Sequence, residues 1–167
     1  AIDYLAAGQV LTLTYTVDLD DGDGGITPQT FVVTITGTND APVINAINPT
    51  ALTEQTDTAL LTASIPVTFT DVDLTDIGHK ASITDVVASD TTAGLVLTTE
   101  QLMALVTPGA VTKDSGSGSG SINMGFSAPA TAVDYLAAGE VLTLTYTVAV
   151  DDGDGGITPQ TFVVTIT

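Results

Sequence analysis

The chain of 167 residues has no cysteine, no tryptophan and no arginine, and its only basic side chains besides His79 are Lys80 and Lys113. Without cysteine there is no disulfide framework and no thiolate metal site. Two lysines against 20 Asp and Glu give a net charge of −18. No basic patch can form, which excludes nucleic acid and anionic membrane as partners of ordinary affinity. No apolar run approaches membrane-spanning length, so no direct membrane insertion is expected, and no signal peptide is visible. Catalytic nucleophile chemistry is also thinly supplied: there is one histidine and no serine in a nucleophile motif. An enzyme is the least favoured reading. His79, beside Lys80 and after an acidic loop, reads as a solvent-facing loop residue.

What the chain does contain is a repeat. Residues 1–36 return as residues 132–167, differing only at Ile2/Val133, Gln9/Glu140, Asp18/Ala149 and Leu19/Val150. The constant offset of 131 residues indicates a tandem array. A unit of that size buries its own core, whereas 36 residues do not. The expected organisation is therefore the C-terminal hairpin of a preceding repeat (1–37), a linker (38–42) and one complete domain (43–167).

Within the repeat, Leu142, Leu144, Tyr146 and Val148 alternate with Val141 and three threonines, and Phe162, Val164 and Ile166 alternate with Thr161, Val163, Thr165 and Thr167, the period-two pattern of half-buried strands. Between them Asp151-Asp-Gly-Asp-Gly-Gly156 supplies a reversing loop. Tyr15 and Tyr146 fall on the apolar face and are expected in the core. Further strands are expected at Val43–Ile47, Ile65–Thr70, Ala81–Ala88, Leu95–Thr98 and Ile122–Ser127. A helix capped by Thr98 is expected over Thr99–Val106, and a helical turn over Asp134–Ala138. Asp114–Ser121, built of Ser and Gly, reads as a mobile loop. Many short Val-, Ile- and Thr-rich strands predict an antiparallel β-sandwich.

The acids are bunched at turns, which favours cation binding over general solvation. The groups are Asn39 and Asp40 in the linker; Asp71 and Asp73, with Asp76 nearby; Asp151, Asp152 and Asp154 at the hairpin tip; and their earlier copies Asp20, Asp21 and Asp23. If the first strand of the domain runs down from the linker, the strand ending at Thr70 runs up. The last strand runs down, so its hairpin tip also lies at the top. Linker, Asp71/Asp73 and Asp151–Asp154 should then converge on one end. Carboxylates ~4 Å apart repel by about 1 kcal/mol in water and roughly 4 kcal/mol at an effective dielectric near 20. A hard cation reverses that sign, and calcium, which takes roughly six to eight oxygens in loose geometry, suits such a set better than magnesium. The tip is not an EF-hand, because Leu19 and Thr30 stand where end ligands would be required. The Asp20–Asp23 tip should lie about one strand length, ~33 Å, from the linker. Glu54 and Asp57, near the other end of the first strand, are candidate ligands for the next junction.

Asp134-Tyr-Leu-Ala-Ala-Gly-Glu, Leu-Thr-Tyr-Thr-Val, the Asp-Gly-Asp-Gly-Gly hairpin and Gly37-Thr-Asn-Asp-Ala-Pro-Val together resemble the VCBS-type repeats of large bacterial surface adhesins of the RTX kind. The resemblance implies cadherin-like, immunoglobulin-type sandwiches strung in tandem, exported by type I secretion to the cell surface. It also implies calcium-stiffened stalks that serve cell adhesion or biofilm formation, with neighbouring repeats as partners. Asn39, Asp40, Asp71 and Asp73 match positions of the similar animal cadherin linker. Gly37 replaces its first Asp and one Asn is missing before Ala41, which implies one or two ions per junction. Two other readings stand beside this one. A calcium-dependent carbohydrate-binding module would need aromatic platforms that the composition scarcely provides. A self-assembling filament or surface-layer subunit would associate through the apolar face of the N-terminal hairpin.

Overall fold

A computed structural model describes residues 2–55 and 59–167. Strands β1 (Val10–Asp20) and β2 (Ile26–Thr36) form an antiparallel hairpin that is a sheet of its own. The rest builds a sandwich from β3 (Val43–Ile44), β4 (Thr50–Leu52), β5 (Leu60–Thr70), β6 (Lys80–Asp90), helix α1 (Thr99–Met103), β7 (Val106–Pro108), β8 (Ser119–Pro129), β9 (Leu142–Asp151) and β10 (Ile157–Ile166).

The two sheets have the orders β3-β5-β8-β7 and β4-β10-β9-β6. Lettered along the chain, the first is A-B-E-D and the second carries G-F-C, the strand order of immunoglobulin-type sandwiches. All pairings are antiparallel except β4 with β10. Alternation produces the layers. Ile65, Val67 and Phe69 of β5 and Ile122, Met124 and Phe126 of β8 meet Leu144, Tyr146, Val148, Phe162 and Val164 from the facing sheet. Burying one such side chain contributes roughly 1.5–3 kcal/mol, so this face drives closure of the sandwich.

Several local expectations change. Leu95–Thr98 pairs with no strand among the described residues; it is the approach to α1, where Thr98 Oγ1 accepts the Gln101 N–H and the Thr98 N–H donates to Gln101 Oε1. The helix is shorter than the sequence suggests because Val106–Pro108 leaves it to pair with β8. Asp134–Ala138 is a turn and not a helix, and the helical geometry lies earlier, as a 3-10 turn at Ala130–Ala132. The Ser-Gly segment is not simply a loop, because β8 begins inside it at Ser119. Gly120 lies under the Phe69 ring, where an added Cβ would come within 2.2 Å of it.

The repeated hairpin appears in two environments. Tyr146 and Phe162 stack at 5.3 Å and are 0% and 2% exposed. Their copies Tyr15 and Phe31 stack at 5.1 Å but are 46% and 50% exposed, so Tyr15 is not a core residue here. The hairpin and its stacked pair form in both copies; only a facing sheet buries them.

Candidate metal centre

At the entry end of the sandwich β5 runs out into Asp71, β9 into Asp151, and the linker arrives from Gly37. The Asp71–Asp76 loop is shaped by its own carboxylates. Asp71 Oδ1 accepts the Asp73 N–H at 2.9 Å, and Asp71 Oδ2 lies 2.7 Å from His79 Nε2. His79 is 5% exposed and stacks on Phe69. It is therefore a buried positioning residue, not the solvent-facing one its neighbours suggested. Burial follows from its ring packing on Phe69 and its contact with Asp71, neither of which local sequence reveals.

Asp152 organises the hairpin tip in the same manner. Its Oδ1 accepts the N–H groups of Asp154 at 2.7 Å and Gly156 at 2.9 Å, while Asp151 accepts from Gly153. The linker then bridges both loops. Asn39 Nδ2 donates to Asp152 Oδ2 at 3.0 Å, and the Asp40 N–H donates to Asp73 Oδ2 at 2.8 Å. The structure thus brings together Asn39, Asp40, Asp71, Asp73 and Asp152. Asp76, grouped by position with Asp71 and Asp73, is buried with them. Asp154 is exposed, but its charge acts on Asp76.

The cluster is electrostatically unfinished. Asn39 Oδ1, Asp73 Oδ1 and Asp76 Oδ2 are buried and have no hydrogen-bond partner among the described residues. Burial, and then the charges of Asp71, Asp40 and Asp152, push the Asp73 carboxyl up, although the Asp40 N–H opposes this. Burial, with Asp73, Asp154 and Asp71, does the same to Asp76, and Lys113 offsets part of it. Asp152 is different. Burial raises it, but the Asn39 amide and the two backbone N–H groups, helped by His79, hold it below the usual carboxylate range. Lys113 contributes as a strut as well: its Nζ donates to the carbonyl oxygens of Asp73 at 2.9 Å and Asp76 at 2.7 Å.

The free oxygens are carboxylate and amide oxygens, the donor chemistry of a hard cation. Among the described residues no three Asp, Glu or His side chains stand in a ready-made ligand arrangement. A cation would have to draw the orphaned oxygens together.

The remaining candidates lie elsewhere. Asp21 accepts the N–H groups of Asp23 and Gly25, which lower its carboxyl in that order, and Asp20 accepts from Gly22. This copies the Asp151–Asp152 turn, but Asp20, Asp21 and Asp23 are exposed, and the hairpin register sets them a full strand from the linker. Glu54 is at the exit end, where its N–H donates to the Thr167 carbonyl. Asp57 lies outside the described residues. No protein-family model matches the chain, and no curated protein matches it. Among the described residues no helix is long and apolar enough to cross a membrane.

Proposed function

We propose that the chain is a non-catalytic, calcium-binding structural repeat, an extender of a bacterial cell-surface adhesin in which the ion ties each linker to the sandwich that follows it. The observation that carries this is the set of orphaned buried oxygens of Asn39, Asp73 and Asp76, which come from both sides of the linker–sandwich contact. Asn39, Asp73 and Asp76 would hold the ion, with Asp40 and Asp152 adding charge. Asp71, both of whose oxygens are already engaged, would act as a positioning residue. Bound calcium supplies positive charge that cancels the repulsion within the cluster. It would stabilise the native state by mass action, about 2.7 kcal/mol at 100 times the dissociation constant.

Calcium titration by calorimetry and thermal melting tests this reading. Binding together with a rise in melting temperature that EDTA reverses is expected; absence of both would overturn it. Assembly through the hairpin is a second reading, favoured by the exposed Tyr15, Val17 and Phe31. Sedimentation over a range of concentration would reveal it. The same pair at Tyr146 and Phe162 is core, so Tyr15 and Phe31 read as an uncovered core face and not as a sugar platform.

A further inference from the structure

The Asp3–Gly8 turn, repeated at Asp134–Gly139, has no part in the acidic cluster. It closes on itself in both copies. Gln9 N–H donates to the Ala6 carbonyl at 2.9 Å, and the Ala6 N–H donates to Gln9 Oε1 at 3.0 Å. In the second copy Glu140 N–H donates to the Ala137 carbonyl at 2.8 Å, and the Ala137 N–H donates to Glu140 Oε2 at 2.9 Å. The Gln9/Glu140 difference preserves the acceptor, so each unit carries the same preformed turn.

In the first copy this turn grips the linker. Gly37 N–H donates to the Gln9 carbonyl at 2.8 Å, and Gly8 N–H donates to the Gly37 carbonyl at 3.2 Å. The approach is so close that a Cβ on Gly37 would lie 2.2 Å from the Leu5 carbonyl oxygen and 2.5 Å from that of Ala6. Leu5 and Ala6 are buried, although most of the hairpin is exposed. The rest of the linker belongs to the sandwich. Asn39 and Asp40 bond to Asp152 and Asp73, Ala41 packs against Gly156, the Pro42 carbonyl accepts from Thr158, and Val43 pairs with Thr70. Thr38, between the two grips, is exposed and makes no hydrogen bond with the described residues. Leu74 N–H reaches across this point to the Tyr4 carbonyl at 3.4 Å.

We infer that the turn of each unit is a metal-independent socket for the glycine that opens the linker, so that Thr38 is the linker residue left ungripped at the joint between consecutive units, where Leu74 also bonds across to Tyr4. This goes beyond the calcium reading, because no acidic side chain of the cluster takes part in the socket. A joint with one ungripped residue permits far fewer relative orientations than a free five-residue linker, and calcium acts only on its sandwich side.

The absence of cysteine allows two spin labels to be placed uniquely, at Thr14→Cys on the hairpin and Thr62→Cys on β5, both exposed. Pulsed electron paramagnetic resonance then reads the distance distribution between the units, in EDTA and in calcium. In EDTA, Gly37→Ala should broaden the distribution relative to the unsubstituted linker, while the melting temperature of the sandwich stays unchanged. Gln9→Ala should broaden it as well, and Gln9→Glu, which reproduces the second copy, should not. Coincident distributions for Gly37 and Gly37→Ala in EDTA would overturn the socket. Calcium-induced narrowing is read separately in the same samples, so failure of calcium to bind leaves this comparison intact.

Discussion

Asp73 accepts the Asp40 backbone N–H on Oδ2 at 2.8 Å, while its other oxygen, Oδ1, is buried with no hydrogen-bond partner among the described residues. One carboxylate thus anchors the linker and also carries an uncompensated charge. Asp73→Asn separates the two roles, because the amide oxygen can still accept the Asp40 N–H. In EDTA at pH 7, Asp73→Asn and Asp76→Asn should each stabilise the sandwich by about 1 kcal/mol through removed repulsion. Both should reduce or abolish the gain on adding calcium. Thermal melts of both variants with and without calcium check this; lower stability in EDTA would contradict it.

The pH dependence should change sign with the metal. Asp73 and Asp76 have folded-state values above their unfolded ones. Each therefore favours folding fully below the unfolded value, and that contribution is lost as pH rises through the folded value. In EDTA, melting temperature should rise as pH is lowered from 7 into the range where these two groups take up protons. Asp152, held low, works the other way, and its contribution disappears only as pH falls through its lower folded value. In calcium the same acidification should lower the melting temperature, since protons compete with the ion for Asp73 and Asp76. Melting curves against pH in the two buffers provide the measurement.

The sandwich is legible because Leu142–Val148 alternates strictly, Phe162–Ile166 nearly so, and strand direction follows from chain order. Strand direction also puts the linker, Asp71–Asp73 and Asp151–Asp154 at one end. Legibility stops at contacts made by tertiary packing. His79 gives no local sign that Phe69 and Asp71 enclose it. Leu95–Thr98 is an apolar run of strand length, but no strand among the described residues pairs with it. Tyr15 and Tyr146 share their local sequence and differ in burial because only Tyr146 has a facing sheet.

Gly120 illustrates how composition can mislead. Ser-Gly repetition suggests free chain, yet a Cβ at Gly120 would stand 2.2 Å from Phe69 Cζ. Gly120→Ala should destabilise the sandwich by about 1–3 kcal/mol through overpacking. Ser115→Ala, at an exposed position of the same segment, should change stability by no more than about 0.5 kcal/mol. Urea unfolding of the two variants separates packing glycine from loop residue.

The duplicated tyrosine supplies a test with its own internal control. Tyr146 is fully buried, packs between Phe126 and Phe162, and donates its hydroxyl to the Leu102 carbonyl at 3.0 Å. Burial also pushes its phenol well above the ordinary range, so it stays a donor at any working pH. Tyr146→Phe removes only that donor. Leu102 keeps the Leu105 N–H on its carbonyl, which limits the loss to about 1 kcal/mol. Tyr15→Phe, in the same local sequence with its ring half exposed, should leave sandwich stability unchanged. Equal effects of the two substitutions in urea melts would mean that the hairpin of the first copy contributes to the folding unit of the second.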